Sequence, residues 1–181
     1  MSPVAVLVGP PGAGKSTVAR QLAVRMNVPV HDTDAAVEAT AGRTISDIFT
    51  TDGETAFRAM EEKAVAAALM EQHGVVALGG GAVLSAATRA ALSGHRVVFL
   101  NVGMAEGVRR SGLSSARPLL AGINPRSTFK ALLDARLPLY HEVTTVEVRT
   151  DGRSVNQVVA EVLDAVEAQP RRRSQQRRSQ Q

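Results

Sequence analysis

Residues 9–17 read GPPGAGKST, set between an apolar run at residues 4–8 (VAVLV) and a segment that repeats Val18, Ala19, Leu22, Ala23 and Met26 at helical spacing. The loop therefore joins a buried strand to a helix. Gly9, Gly14, Lys15 and Ser16 fit G-x-x-x-x-G-K-[ST] in the strand-to-helix context that the P-loop motif requires. In such a loop the glycines let successive N–H groups, from Gly12, Ala13 and Gly14 to Lys15, Ser16 and Thr17, face one anion at a helix N-terminus, where the helix dipole also favours negative charge. Lys15 is expected to reach the β- and γ-phosphates of a nucleotide, and Ser16 to ligate magnesium. The loop by itself leaves the phosphoryl acceptor open.

The chain has 181 residues, 44% of them apolar, which suits a single domain with a sizeable core. No apolar run is long enough to span a bilayer, and residues 1–8 lack the basic start of a secretory signal, so the expected location is cytoplasmic. The absence of cysteine excludes disulfides, thiolate metal sites and cysteine nucleophiles. A formal charge of +4 invites a nucleic-acid reading, but five arginines and no acid lie in residues 169–181 (QPRRRSQQRRSQQ), and without them the charge is −1. This polar tail has no apolar residue to offset the entropy of ordering, and no aromatic interleaves its arginines. It is expected to be a disordered basic end, with no specific nucleic-acid partner and no membrane partner.

Further short apolar runs occur at 28–32 (VPVHD), 74–81 (GVVALGGG), 95–101 (HRVVFLN) and 144–149 (TTVEVR), with helical patterns between them. The alternation predicts an α/β fold: a five-stranded, mostly parallel sheet with helices on both faces and ligands at the carboxyl ends of the strands. At that edge lie the P-loop, Asp32 and Asp34 after the second strand, and Gly79, Gly80 and Gly81 after the third. Asp32 ends an apolar strand, where a metal-associated acid belongs, and Asp34 is placed to take an acceptor hydroxyl proton; capping of the next helix is the competing use of these residues. The glycines admit close backbone approach and offer N–H donors. A long helix is predicted over about 53–70, opened by Thr51 and Glu54 as a capping box, with Phe57, Met60, Ala64 and Ala67 inward and Arg58 near its start. A later helix over 127–140 carries Phe129, Leu132 and Leu133 on one face with Arg136 in the same stripe. Guanidinium groups bind carboxylates bidentately, so converging Arg58 and Arg136 suggest an acidic acceptor that bears hydroxyls. Between these helices residues 109–125 show little helical pattern and read as a flap carrying Arg117. The four histidines show no ligand spacing.

Taken together, GPPGAGKST, DTD, GRTISDIFTTDGETAFR, LGGGAV, RRSGLSSARPLL and RLPLYHEV resemble the shikimate kinase family, and closely resemble its mycobacterial type, over about residues 4–165. The resemblance implies a three-layer α/β/α P-loop kinase fold of the nucleoside-monophosphate-kinase-like type. One kinase domain would span 1–168, with a substrate-binding region at about 33–61, a mobile lid at about 112–124 and the tail at 169–181 outside it. The activity implied is ATP-dependent phosphorylation of the 3-hydroxyl of shikimate on the path to chorismate and aromatic amino acids, with one Mg2+ per active site and ATP as co-substrate.

The resemblance also assigns roles. Asp34, Lys15 and Arg117 correspond to the catalytic residues, and Ser16 and Asp32 to the magnesium site. Arg58 and Arg136 match the carboxylate clamp, Gly79, Gly80 and Gly81 the turn beneath the substrate, and Phe49 and Phe57 the apolar walls. Arg117 matches the residue that closes over the nucleotide, and Arg110 and Arg153 match positions at the adenine. A monomer is expected. The rival readings are another small P-loop kinase, of gluconate or a nucleotide, and a nucleotide-binding regulator that recruits nucleic acid through the tail, whose binding would weaken steeply with salt.

Overall fold

The structure, a computed structural model, describes residues 2–111 and 124–168. Its centre is β1 (Ala5–Val8), in which every residue is buried. That is the pattern of a strand covered on both faces in a parallel sheet. With β2 (Val30–Asp32), β3 (Val75–Ala77), β4 (Val97–Asn101) and β5 (Val146–Arg149) it forms a five-stranded sheet of order β2-β3-β1-β4-β5, parallel throughout. Val6 is in register with Val76 on one side and Val97 on the other. All five expected strands are present, each shorter than its apolar run, β3 most of all because residues 78–81 form the turn after it.

Successive residues of β1 serve opposite layers, as the two-residue period of a strand dictates. Ala5 and Leu7 join the core beneath α1 (Lys15–Met26) and α8 (Val155–Ala168), through Val18, Leu22, Val158 and Val162. Val6 and Val8 join the core beneath α4 (Gly53–Glu71), α5 (Ala86–Leu92) and α7 (Pro125–Val143), through Val65, Leu69, Leu92 and Tyr140. A smaller cluster, Val37, Ile48 and Phe57, ties α2 (Thr33–Ala41) and α3 (Ile45–Thr51) to α4. This is the three-layer α/β/α arrangement, with a side lobe beyond the ends of β2 and β3.

Three local expectations are corrected. Thr51 does not open the long helix: it closes α3, and Asp52 is the junction, its side chain making no cap because Arg43 takes its carboxylate. The chain turns instead at Gly53, with φ of 84°, a left-handed value that favours glycine. The fully buried stripe of α4 is Phe57, Glu61, Val65, Ala68 and Leu69; Met60 and Ala64 pack half-buried against the side cluster as expected, and Ala67 is exposed. The supposed flap also begins later than residue 109, because Arg109, Arg110 and Ser111 belong to α6 (Met104–Ser111), where both arginines reach back to Glu106 across one turn. The lid at 112–124, apart from Asn124, and the tail at 169–181 lie outside the described residues. Asn124 caps α7 through its side chain. Among the described residues no helix is long and apolar enough to cross a membrane.

Candidate active site

The strand β1 runs directly into the P-loop, and α1 begins at Lys15 behind Gly14, whose φ of 88° only glycine adopts without strain. That left-handed residue turns the chain into the helix, leaving the first N–H groups of α1 facing outward over the sheet edge. Lys15 is buried and its Nζ donates to the Gly9 carbonyl at 2.8 Å and the Pro10 carbonyl at 3.1 Å, so its ammonium spans the loop it would serve. Ser16 Oγ donates to Asp32 Oδ2 at 2.5 Å, which joins the first strand's loop to the second's. Asp32 does two things at once. Its other oxygen, Oδ1, accepts from the Asp34 and Ala35 backbone N–H groups at 3.0 and 3.4 Å and caps α2. The capping use and the site use of this residue are therefore compatible.

The second and third loops are stitched by Thr33, a fully buried residue in DTD that sequence reasoning passed over. Its hydroxyl donates to the Ala77 carbonyl at 3.3 Å and accepts from the Gly79 N–H at 3.2 Å. A side chain at Gly79 would overlap the carboxylates of Asp34 and Glu61, and one at Gly81 would overlap the Arg58 guanidinium. A side chain at 79 or 81 would therefore displace the charged ends of Asp34, Glu61 or Arg58 from the turn.

Arg58 and Arg136 approach this turn from α4 and α7. Arg58 is held by its own helix: Nη1 pairs with Glu61 Oε2 at 2.6 Å and Nη2 with Glu54 Oε1 at 3.1 Å. Its guanidinium also lies 5.2 Å from the centre of the Phe57 ring. Arg136 is only 7% exposed, and among the described residues it has no carboxylate at ion-pair distance; Nη1 donates to the Gly80 carbonyl at 3.1 Å. Burial pulls its pKa below the ordinary arginine value, and the Arg58 charge pushes the same way. A buried cation so placed is stabilised by an anion arriving from the cavity.

That cavity has a volume of about 520 Å³ and is bordered by the loops after β1, β2 and β3 and by α3, α4, α6 and α7. Gly12, Gly14, Lys15, Ser16 and Thr17 line one end, with Arg110 beside them. Asp32 and Asp34 lie between that end and the wall formed by Phe49, Phe57, Arg58, Gly80, Gly81 and Arg136. Phe49 and Phe57 meet with ring centres 4.8 Å apart. Ala13 and Gly79 are buried behind the lining. Arg153 does not border the cavity; it donates to the Arg149 carbonyl and pairs with Glu161 of α8. Arg117 lies outside the described residues.

Sequence reasoning missed Glu61, Glu38, Ile45 and Leu132, all of which line the cavity. Glu61 was detectable. It stands four residues after Phe57 on the inward stripe of α4, and an acid there needs a partner just as Arg136 does.

The family profile described as Shikimate kinase matches residues 11–167. A shikimate kinase of Saccharopolyspora erythraea is 63% identical over 168 residues, covering 93% of this chain and 96% of its own length. One from Rhodococcus jostii is 52% identical, covering 90% of this chain and 97% of its own. Among solved structures, the shikimate kinase from Acinetobacter baumannii in complex with shikimate superposes with a TM-score of 0.89 at 32% identity, over 93% of this chain and 94% of that one. A gluconokinase from Sinorhizobium meliloti, at TM-score 0.59 and 21% identity, shares the fold. The P-loop, the doubly used Asp32 and the arginine-lined acceptor wall thus stand in a chain that, by profile, by identity and by superposition, belongs to the shikimate kinase family.

Proposed function

We propose that this chain transfers the γ-phosphoryl group of ATP to the 3-hydroxyl of shikimate, giving shikimate 3-phosphate and ADP, a step towards chorismate and aromatic amino acids. The carrying observation is Arg136: a buried guanidinium with no carboxylate partner among the described residues, beside Arg58 and across one cavity from the P-loop. An acceptor that brings its own carboxylate to those arginines leaves its hydroxyls towards Asp34. Bidentate guanidinium binding fixes the orientation of such an acid as well as its affinity.

The nucleotide phosphates lie against the N–H groups from Gly12 to Thr17, with Lys15 and Arg117 neutralising charge that develops on the transferred group. Arg110, which borders the cavity beside the P-loop, flanks the adenine, and Arg153, paired with Glu161 outside the cavity, reaches it only by leaving that partner. Phe49 and Phe57 wall the apolar side of the acceptor ring, over the turn of Gly79, Gly80 and Gly81. Asp34 accepts the hydroxyl proton as the acceptor oxygen bonds to the γ-phosphorus and the bond to the β,γ-bridging oxygen breaks. The kinase domain is 1–168, with the acceptor region at 33–61 and the lid at 112–124. The protein works as a cytoplasmic monomer, with the basic tail at 169–181 outside the kinase domain.

The oxygen donors of Ser16 and Asp32, which meet at 2.5 Å, suit one Mg2+. Among the described residues no cluster of three or more acids or histidines could hold a metal, which fits an ion carried largely by phosphate and water oxygens. When bound, magnesium supplies charge neutralisation at the phosphates.

The deciding experiment is coupled ADP release with magnesium-ATP and shikimate, gluconate or AMP as acceptor. Turnover with shikimate alone is expected. Turnover with gluconate or AMP in its place would transfer the assignment to another small-molecule kinase.

A further inference from the structure

The Gly80 carbonyl accepts two side-chain hydrogen bonds, both from α7 and one helical turn apart: Arg136 Nη1 at 3.1 Å and Tyr140 Oη at 2.5 Å. The two donors differ in rigidity. Arg136 is long and charged, and its side chain also borders the cavity. Tyr140 is completely buried, its ring stacked on Phe99 with centres 5.0 Å apart and planes 19° apart. Its hydroxyl, out of reach of water, needs an acceptor, and Gly80 supplies it. Three consecutive glycines otherwise have more backbone freedom than any other tripeptide. Because the peptide unit is planar and trans, holding the Gly80 oxygen also fixes the direction of the Gly81 N–H, which points the opposite way.

We infer that Tyr140 is a positioning residue of the acceptor site: its hydroxyl fixes the Gly80–Gly81 peptide and, through the shared carbonyl, the seat of the Arg136 guanidinium. Tyr140 does not border the cavity and acts only through these two groups. The inference rests on the proposed use of this wall to receive an acid-bearing acceptor. It separates the hydroxyl's work from the ring's: the ring fills the core under β4, and the hydroxyl orients the site.

The test is steady-state kinetics of Tyr140→Phe, which keeps the ring and removes only the oxygen. Loss of one buried hydrogen bond is expected to raise the KM for shikimate about 10-fold while kcat and the KM for ATP stay within about twofold. An unchanged KM for shikimate, or an equal rise for both substrates, overturns the inference. A second measurement needs no variant. The chain has one tyrosine and no tryptophan, so its intrinsic emission reports Tyr140 alone. Saturable change of that emission with shikimate, and none with a non-hydrolysable ATP analogue, is expected of the wild type; a flat response to shikimate at concentrations that saturate turnover overturns the inference. Failure of the acceptor assignment is visible separately, as a wild-type protein that neither binds nor phosphorylates shikimate.

Discussion

A buried guanidinium is tolerated only where negative charge reaches it, and among the described residues no carboxylate lies at ion-pair distance from Arg136, Glu61 acting on it only from farther off. On the proposed reading Asp34 meets the opposite demand, that of a base beside a reacting hydroxyl. Substitutions at the two positions should therefore leave opposite kinetic signatures. Arg136→Lys keeps the charge and loses the planar fork, so the KM for shikimate is expected to rise at least ~10-fold with kcat little changed, the range for hydrogen bonds to charged groups. Asp34→Asn is expected to lower kcat at least ~100-fold while ATP binding, followed by calorimetry, persists. Parallel loss of shikimate and ATP binding in either variant would mean a damaged fold. At this scale the sequence was legible where chemistry is contiguous: the P-loop and DTD each carry their donors within a few residues. Arg136 was also visible, as a charge on an apolar stripe, and Arg58 as its converging partner beside Phe57. Thr33 escaped because its importance lies in contacts across the sheet edge, to Ala77 and Gly79, whereas Glu61, three residues after Arg58 on the same helix, was passed over although that spacing made it detectable.

At the scale of elements, α2 shows how one carboxylate can be shared by stability and chemistry. Asp32 Oδ1 accepts from the first N–H groups of α2, and Oδ2 accepts from Ser16 of α1. Asparagine caps helices about as well as aspartate, so Asp32→Asn should keep thermal stability near that of the wild type while turnover and its magnesium dependence deteriorate. Asp32→Ala loses the cap as well and is expected to cost about 1 kcal/mol of stability, read from denaturant unfolding. Equal destabilisation by Asn and Ala would show that the charge, and not the cap geometry, holds α2. The strands were readable as apolar runs because β1, β3 and β4 are buried on both faces. The start of α4 near Gly53 was legible in the weak helix formers of residues 50–53, but α3 before it was not, and what ends α3 is Gly53 in a left-handed turn with Asp52 drawn to Arg43, a partner nine residues earlier.

Across the whole molecule, Gly80 is where the layers meet. A side chain there would press on Pro11 and the Gly9 carbonyl of the P-loop, at 3.2 to 3.4 Å, while its own carbonyl is held from α7. The core residue that does the holding, Tyr140, gives a handle on global stability. Burial raises its phenol pKa from 10.0 to about 12. An acid whose folded-state pKa is raised binds its proton more tightly folded than unfolded, so its contribution is complete below pH ~10, where both states are protonated. Between pH 10 and about 12 the unfolded chain ionises while the folded one does not, and stability falls as pH rises. Lysines titrate in the same window, so the informative quantity is the difference between the wild type and Tyr140→Phe. Below pH 10 the two unfolding free energies should differ by a constant. Above it the gap should move in favour of the variant, by about 2–3 kcal/mol once pH passes the folded-state value. Phenolate absorbance gives the same answer directly, because a single tyrosine titrates. A midpoint near 10 in the folded protein, with a pH-independent gap, would mean that the hydroxyl reaches water and that Gly80 is not held as the structure places it.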